Sequence, residues 1–246
     1  MIVIPMAGMS SRFFKAGYTK PKYMLEAHGK TLFYHSVNSF ERYLSSEKFL
    51  FIVRNDYNTP EFVRASAKAL GILDFEIYIL EQETRGQAET VAIGLSEYKL
   101  SSDPITIFNI DTFRPGFKHP NLSVLGDGYL EVFIGTGDNW SFVRPISNIS
   151  TKIDLTTEKN PISEYCCTGL YHFKKCSDYF DAYNAYLLKP TTTWEKGELY
   201  IAPLYNHLIK NNKSIHYNLI DRGDVVFCGT PVEYKELISN QEGGGV

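Results

Sequence analysis

The chain has 246 residues, 43% of them hydrophobic and 22% charged, with a formal net charge of −3. That is ordinary for a globular protein with a sizeable core, and the slight acidic excess argues against nucleic acid as a partner. No apolar run reaches the roughly 18–20 residues of a membrane span, so no membrane partner is expected.

In chain order, residues 2–5 form the first expected strand. A helical period follows at Phe33, Val37, Phe40 and Leu44, then strands at 49–53 and 75–80. A second helical period runs through Ala88, Val91, Leu95 and Tyr98, and a strand at 105–110 closes the first half. These strands are short and almost continuously apolar, as strands covered on both faces are, and strand–helix alternation implies a parallel sheet. Beyond them the pattern changes. Residues 129–134 alternate, 140–146 and 149–155 are extended, and 165–173 is another strand. Helices are expected at 176–188 and 198–210, a strand at 214–219 and a last helix after Pro231. The reading is one α/β domain over residues 1–238, a Rossmann-like open, mostly parallel sheet flanked by helices. A smaller antiparallel β patch occupies the second half, and 239–246 is a frayed tail. Cys166, Cys167, Cys176 and Cys228 form no C-x-x-C pair and are read as reduced, mostly buried thiols. The N-terminus lacks the basic, apolar and small-residue succession of a signal peptide, so a cytoplasmic protein is expected. The aromatic content is compatible with a homodimer.

Open parallel sheets bind ligands beyond the carboxyl ends of their strands. The loop after the first strand carries Gly8 and Arg12, with Lys22 shortly after. Glycine lets backbone approach a ligand, successive N–H groups cradle phosphate, and Arg adds a fixed charged fork. Taken alone, these residues are equally a surface loop with solvated charges. Two other phosphate motifs are set aside. A dinucleotide fingerprint needs three glycines where only Gly8 stands, and Gly29-Lys30-Thr31 lacks the earlier glycine and strand of a P-loop. It is read as a turn and helix start, with Thr31 as N-cap. Asp111, behind the 105–110 strand, is placed to hold a divalent cation or, equally, to cap a turn. At Gly86-Gln87-Ala88, two small residues leave room for a flat ring and an amide to read its edge.

Together these segments resemble the sugar-nucleotide pyrophosphorylases, or nucleotidylyltransferases. The similar stretches are PMAGMSSRF, KPKYML, GKTLF, RGQAETV, FNIDTF, TEKNPISEYCCTGLYHF and FCGTPVEY, in the family's order over nearly the whole chain. The resemblance implies that Ala7, Gly8, Met9, Ser10, Ser11 and Arg12, with Gln82, Gly86, Gln87 and Ala88, bind the nucleotide. Arg12, Lys22 and Lys159 would be catalytic, and Asn109, Glu158, Lys159 and Gly169 would border the acceptor. Asp111, with Asp224 as a second ligand, would bind Mg2+. The implied reaction moves a nucleoside monophosphate from a nucleoside triphosphate to a phosphorylated small molecule, releasing pyrophosphate. Within the family the chain is similar to capsule-pathway members that use CTP and an amino-acid phosphate in place of a sugar phosphate. Arg144, Glu198 and Tyr200 are further acceptor candidates. Three departures stand out. Phe227 occupies the place of a common metal aspartate, Ser10 that of a second glycine, and Asn160 is inserted before Pro161. A glycosyltransferase is disfavoured because Asp111-Thr112-Phe113 lacks the second acid of D-x-D. A silent nucleotide-binding regulator is the other rival.

Overall fold

The apolar runs of the first half form strands and the helical periods cross between them. The computed structural model describes residues 1–239. In chain order the first half contains β1 (Ile2–Pro5), α1 (Ser11–Lys15), β2 (Glu26–Ala27), β3 (Lys30–Thr31), α2 (Leu32–Val37) and β4 (Phe49–Arg54). It continues with α3 (Thr59–Ala69), β5 (Phe75–Leu80), α4 (Gln87–Gly94), β6 (Ile105–Phe108) and β7 (Thr112–Phe113). The second half adds β8 (Gly128–Ile134), β9 (Ser141–Pro145), β10 (Ile153–Glu158), β11 (Tyr165–Phe173) and α5 (Cys176–Leu187). α6 (Tyr205–Lys210), β12 (Ile215–Leu219), β13 (Val226–Phe227) and α7 (Pro231–Ser239) complete it. Of the expected tail, Ser239 closes α7, and residues 240–246 lie outside the described residues.

The main sheet runs β10-β9-β11-β6-β1-β4-β5, with β8 joined to β11 and β12 joined to β8. β6, β1, β4 and β5 are mutually parallel, and β11 returns antiparallel against β6. The expected α/β class, with its antiparallel patch, is the observed one. Alternation along β1 and β4 divides the core between the two sheet faces. Ile2, Ile4, Phe49 and Phe51 pack with Phe33 and Phe40, whereas Val3, Leu50 and Ile52 pack with Val91 and Leu95.

Several expectations need correction. β5 is an edge strand and is only partly covered: Ile79 is exposed, and Glu76 pairs with Lys48 at 2.8 Å. The 105–110 strand stops at Phe108, because Asn109 turns its N–H to the Gly169 carbonyl. The helix expected through Leu44 ends at Val37 and continues as a 3-10 segment, Asn38–Tyr43, kinked at Phe40, where φ/ψ is −96°/27°. Residues 198–201 are not helical, since the Leu199 backbone is bound to Arg85 and Ala88; a 3-10 turn begins at Ala202 and α6 at Tyr205. The strand expected at 149–155 lies at 153–158. α3 was not anticipated, and Pro60 sits in its first turn, where a missing N–H costs nothing. Thr31 does cap α2, accepting the Tyr34 N–H at 3.1 Å. All four cysteines are buried free thiols. No helix among the described residues is long and apolar enough to cross a membrane.

Candidate active site

Beyond the carboxyl ends of β1, β4, β5 and β6 lie two open clefts, of about 670 and 630 Å3. Gln87, Asn109 and Asp111 line both, so the two clefts meet there.

The first loop is shaped by Ser10. Its φ is 50°, in the left-handed region, and its carbonyl accepts the N–H groups of Phe13 and Phe14 to start α1. Its hydroxyl accepts the Lys22 N–H at 3.1 Å, tying the loop to the Pro21-Lys22 segment. Ala7, Gly8 and Met9 line the first cleft, while Ser10 and Ser11 border a shallower annex with Arg12 and Asp111. A Cβ at Gly8 would meet nothing within 4 Å, so its smallness leaves open space and relieves no strain.

Asp111 is the hub. Lys22 Nζ donates to its Oδ2 at 2.6 Å, and the carboxylate is 27% exposed. Burial opposes its ionisation, but the Lys22 ammonium, reinforced by Arg12, outweighs burial and holds the carboxyl below its usual range. The Asp111 carbonyl accepts the Cys228 N–H, and a Cβ on Gly229 would lie 2.9 Å from Asp111 Oδ2. The Gly-Thr-Pro element therefore packs on Asp111. Glu233 holds it there, its Oε2 accepting from Gly229 N, Thr230 N and Thr230 Oγ1 at 2.9, 2.8 and 2.9 Å. Thr230 in turn accepts the Glu233 N–H, which makes a capping box.

Gly86 has φ 147°, and a Cβ there would lie 2.5 Å from Leu199 N. The space beside it holds the Leu199 backbone, bound through Leu199 N–H to the Arg85 carbonyl and through Ala88 N–H to the Leu199 carbonyl. Ala88 is fully buried. The room expected for a flat ring at Gly86 and Ala88 is thus filled by protein, although Gly86, Gln82 and Gln87 line the first cleft. Gln87 donates to Asn109 Oδ1 at 2.5 Å, so its amide faces the junction of the clefts. Asn109 rests against Gly169, where φ is 94° and a Cβ would come within 2.5 Å of the Asn109 amide nitrogen. The register of β11 slips between Cys167 and Tyr171, and this bulge carries Gly169 into the site.

The second cleft has aromatic walls: Trp140, Tyr171, Tyr200 and Phe227. Phe227 packs on Trp140 with centroids 4.7 Å apart, so the residue in the expected aspartate position is a wall. Glu158 is buried beside Ser141, which donates to it; burial pushes its carboxyl above the usual range, and the Ser141 bond opposes this. Lys159, at φ 53°, is not among the lining residues. Its ammonium donates to the Tyr200 hydroxyl and lies 4.2 Å from that ring's centre. Burial, followed by Glu198, raises the Tyr200 phenol well above its ordinary value.

Other candidates lie apart. Asp224 is exposed and lines neither cleft; its carbonyl accepts from Arg114, whose guanidinium is committed to buried Glu131 at 2.8 Å. The structure therefore does not bring Asp224 to Asp111. Arg144 is spent on Asp154 at 2.8 Å on the surface, and Glu198 lines the first cleft, not the second. Several lining residues escaped the sequence reading. Arg54, at the end of β4, obeys the same carboxyl-end rule and was legible, as was Glu233 from its T-x-x-E spacing to Thr230; Trp140, Ser141 and Tyr171 carried no local signal. Among the described residues no group of three or more His, Cys, Asp or Glu side chains forms a metal cage. A lone carboxylate beside open polar space suits Mg2+, which takes one or two protein carboxylates and completes its shell with phosphate and water.

The described fold is that of the nucleotidyltransferases. The chain superposes on the nucleoside-diphosphate-sugar pyrophosphorylase of Vibrio cholerae RC9 with a TM-score of 0.92 and 60% identity, covering 97% of this chain and 100% of that one. It therefore belongs to the nucleoside-diphosphate-sugar pyrophosphorylase family. Two more distant structures share the fold. A UDP-glucose pyrophosphorylase complexed with UDP-glucose has a TM-score of 0.73 at 15% identity over 98% of this chain and 97% of that one. The inositol-1-phosphate CTP transferase of T. maritima has 0.71 at 15% identity over 100% and 97%. No protein-family model and no curated protein matches the chain.

Proposed function

We propose that the protein transfers a nucleoside monophosphate, CMP by preference, from a nucleoside triphosphate to a phosphorylated small molecule, releasing pyrophosphate. In its sharpest form the reaction is CTP plus phosphoglutamine giving CDP-glutamine, for phosphoramidate decoration of a capsule. The observation that carries the reaction class is the meeting of two clefts at Asp111, with Lys22 and Arg12 beside it. One cleft suits a nucleotide and the other a phosphorylated acceptor, and the UDP-glucose and inositol-1-phosphate enzymes handle ligands of those two kinds. The choice of CTP and of an amino-acid phosphate rests on the motif resemblance.

An acceptor phosphate oxygen attacks the α-phosphorus in line. The bond to the β-phosphate oxygen breaks, and its electron pair leaves with pyrophosphate. A phosphate monoester is already ionised at neutral pH, so no general base is needed; catalysis lies in positioning and charge. The Ala7–Ser11 backbone and Arg12 hold the triphosphate, and Lys22 leaves Asp111 for the charge developing at the transferred phosphorus. Gln82, Gly86 and Gln87 line the base side, with Ala88 as packing beneath. Asn109, Glu158 and Gly169 shape the acceptor cleft, and Lys159 meets the acceptor phosphate by swinging from Tyr200. Mg2+ held by Asp111 and the substrate phosphates supplies charge neutralisation.

Pyrophosphate release tests this with CTP, UTP, GTP, ATP and dTTP, each paired with phosphoglutamine and with sugar 1-phosphates. Turnover peaking at CTP with phosphoglutamine is expected. Turnover confined to a sugar 1-phosphate moves the assignment to that acceptor, and none with any pair removes the transferase reading.

A further inference from the structure

A separate cavity of about 350 Å3 opens at the other end of the same strands. Pro104, just before β6, forms part of its wall, while the far end of β6, about 13 Å away, leads to Asn109 and Asp111. His172 lies near the end of β11, whose earlier residues Cys167 to Gly169 line the second cleft. The two sites thus sit at opposite edges of shared strands.

The walls of this cavity divide by chemistry. Leu122, Leu125 and Pro104 are apolar, and His172, Lys174 and Lys175 are the basic members. His172 is only 5% exposed. Its Nδ1 pairs with Thr106 Oγ1 at 3.0 Å, and its Nε2 has no hydrogen-bond partner among the described residues. The His172 residue lines the cavity from a nearly buried position. Burial keeps this ring neutral, so the fixed positive charge of the cavity comes from the two lysines. Lys174 and Lys175 are exposed, and neither ammonium makes an ion pair or hydrogen bond among the described residues. Neither nearby acid pairs with these lysines. Asp127 takes the Ser214 N–H and faces Lys213, and Asp103 takes the Ser101 hydroxyl. Gly128 cannot fill the space, since a Cβ there would lie 2.6 Å from the His172 carbonyl oxygen.

We propose that this cavity is a second binding site, for a small organic anion. Its apolar body packs on Leu122, Leu125 and Pro104, and its carboxylate or phosphate meets the Lys174 and Lys175 ammoniums beside the His172 ring. The volume is at the small end of the ~300–1,000 Å3 of ligand pockets, which suits a single ring or a short branched chain. The site needs no nucleotide and stands independently of the transferase reading.

The test follows the His172 imidazole carbon–proton signal by NMR during titration with phenyl phosphate, with benzoate, and with benzyl alcohol as the neutral control. Saturable shifts with at least one anion are expected, with benzyl alcohol about tenfold or more weaker. Whichever of phenyl phosphate and benzoate binds tighter identifies the oxyanion. The Lys174→Gln/Lys175→Gln double variant should weaken the anion by about tenfold while leaving pyrophosphate release without the probe unchanged. CTP should not displace it. The proposal falls if neither anion shifts His172, if benzyl alcohol binds as well, if the double variant binds unchanged, or if CTP competes.

Discussion

Lys22 Nζ stands 2.6 Å from Asp111 Oδ2, closing the junction between the two clefts with an ion pair. Lys22 occupies one oxygen of the carboxylate and its charge repels a cation brought to the other, so it opposes metal binding at Asp111. On the proposed reaction, an incoming triphosphate offers Lys22 another partner. Lys22→Met should therefore tighten Mn2+ binding in the absence of nucleotide, read by electron paramagnetic resonance, while turnover falls about a hundredfold. Mn2+ binding equal to wild type would show that Lys22 does not guard the carboxylate.

Asp111→Asn should keep the fold, because the Asp111 backbone bond to Cys228 is untouched. Turnover should drop by about a hundredfold or more, with the thermal midpoint near that of the parent. Pyrophosphate release and circular dichroism check the two halves. Normal turnover would move the metal elsewhere.

Gly169→Ala forces a side chain onto the Asn109 amide at a backbone angle that disfavours it, where φ is 94°. A cost of about 1–3 kcal/mol is expected in a urea titration. Displacing Asn109 also loosens Gln87, so kcat/KM should fall further than stability alone explains.

Lys159→Ala and Tyr200→Phe both break the pairing at the second cleft. The acceptor KM should rise in each, more in Lys159→Ala, with CTP affinity by thermal shift unchanged. Equal loss of CTP affinity would place Lys159 on the nucleotide.

His172 is held neutral by burial, aided by His119 and the N-terminal ammonium, which lowers its pKa from 6.5 to about 3. In the unfolded chain the ring takes up a proton below its ordinary pKa, while the native protein does not. Stability should fall as the pH drops from about 6.5 toward 3, by about 1.4 kcal/mol per unit at most for this one group. Urea midpoints against pH should be flatter across that window in His172→Gln.

The parallel half of the fold was legible because β1, β4 and β6 are apolar at successive positions, as strands covered on both faces must be. Asp111 and the Gly8–Arg12 loop were legible because ligand sites follow strand ends. The aromatic wall was not. Trp140, Tyr171 and Phe227 come from separate stretches of chain: β9 and β11 pair in the main sheet, whereas β13 pairs with β7 apart from it, and Phe227 reaches Trp140 only by tertiary packing. Gly86 was noticed for the wrong reason, since no local pattern announces that the Leu199 backbone will lie against it.

Tyr234 donates its hydroxyl to the Glu26 carbonyl, and Phe13 packs on the Tyr234 ring, so α7 clasps the segment that follows the first loop. Cys228 and Gly229, just ahead of α7, press on Asp111. The earliest and latest parts of the described chain thus close around one carboxylate. During synthesis, the wall beside Asp111 stays open until residues 228–239 have left the ribosome, and a nascent chain that has already built its central sheet still leaves this carboxylate uncovered on one side.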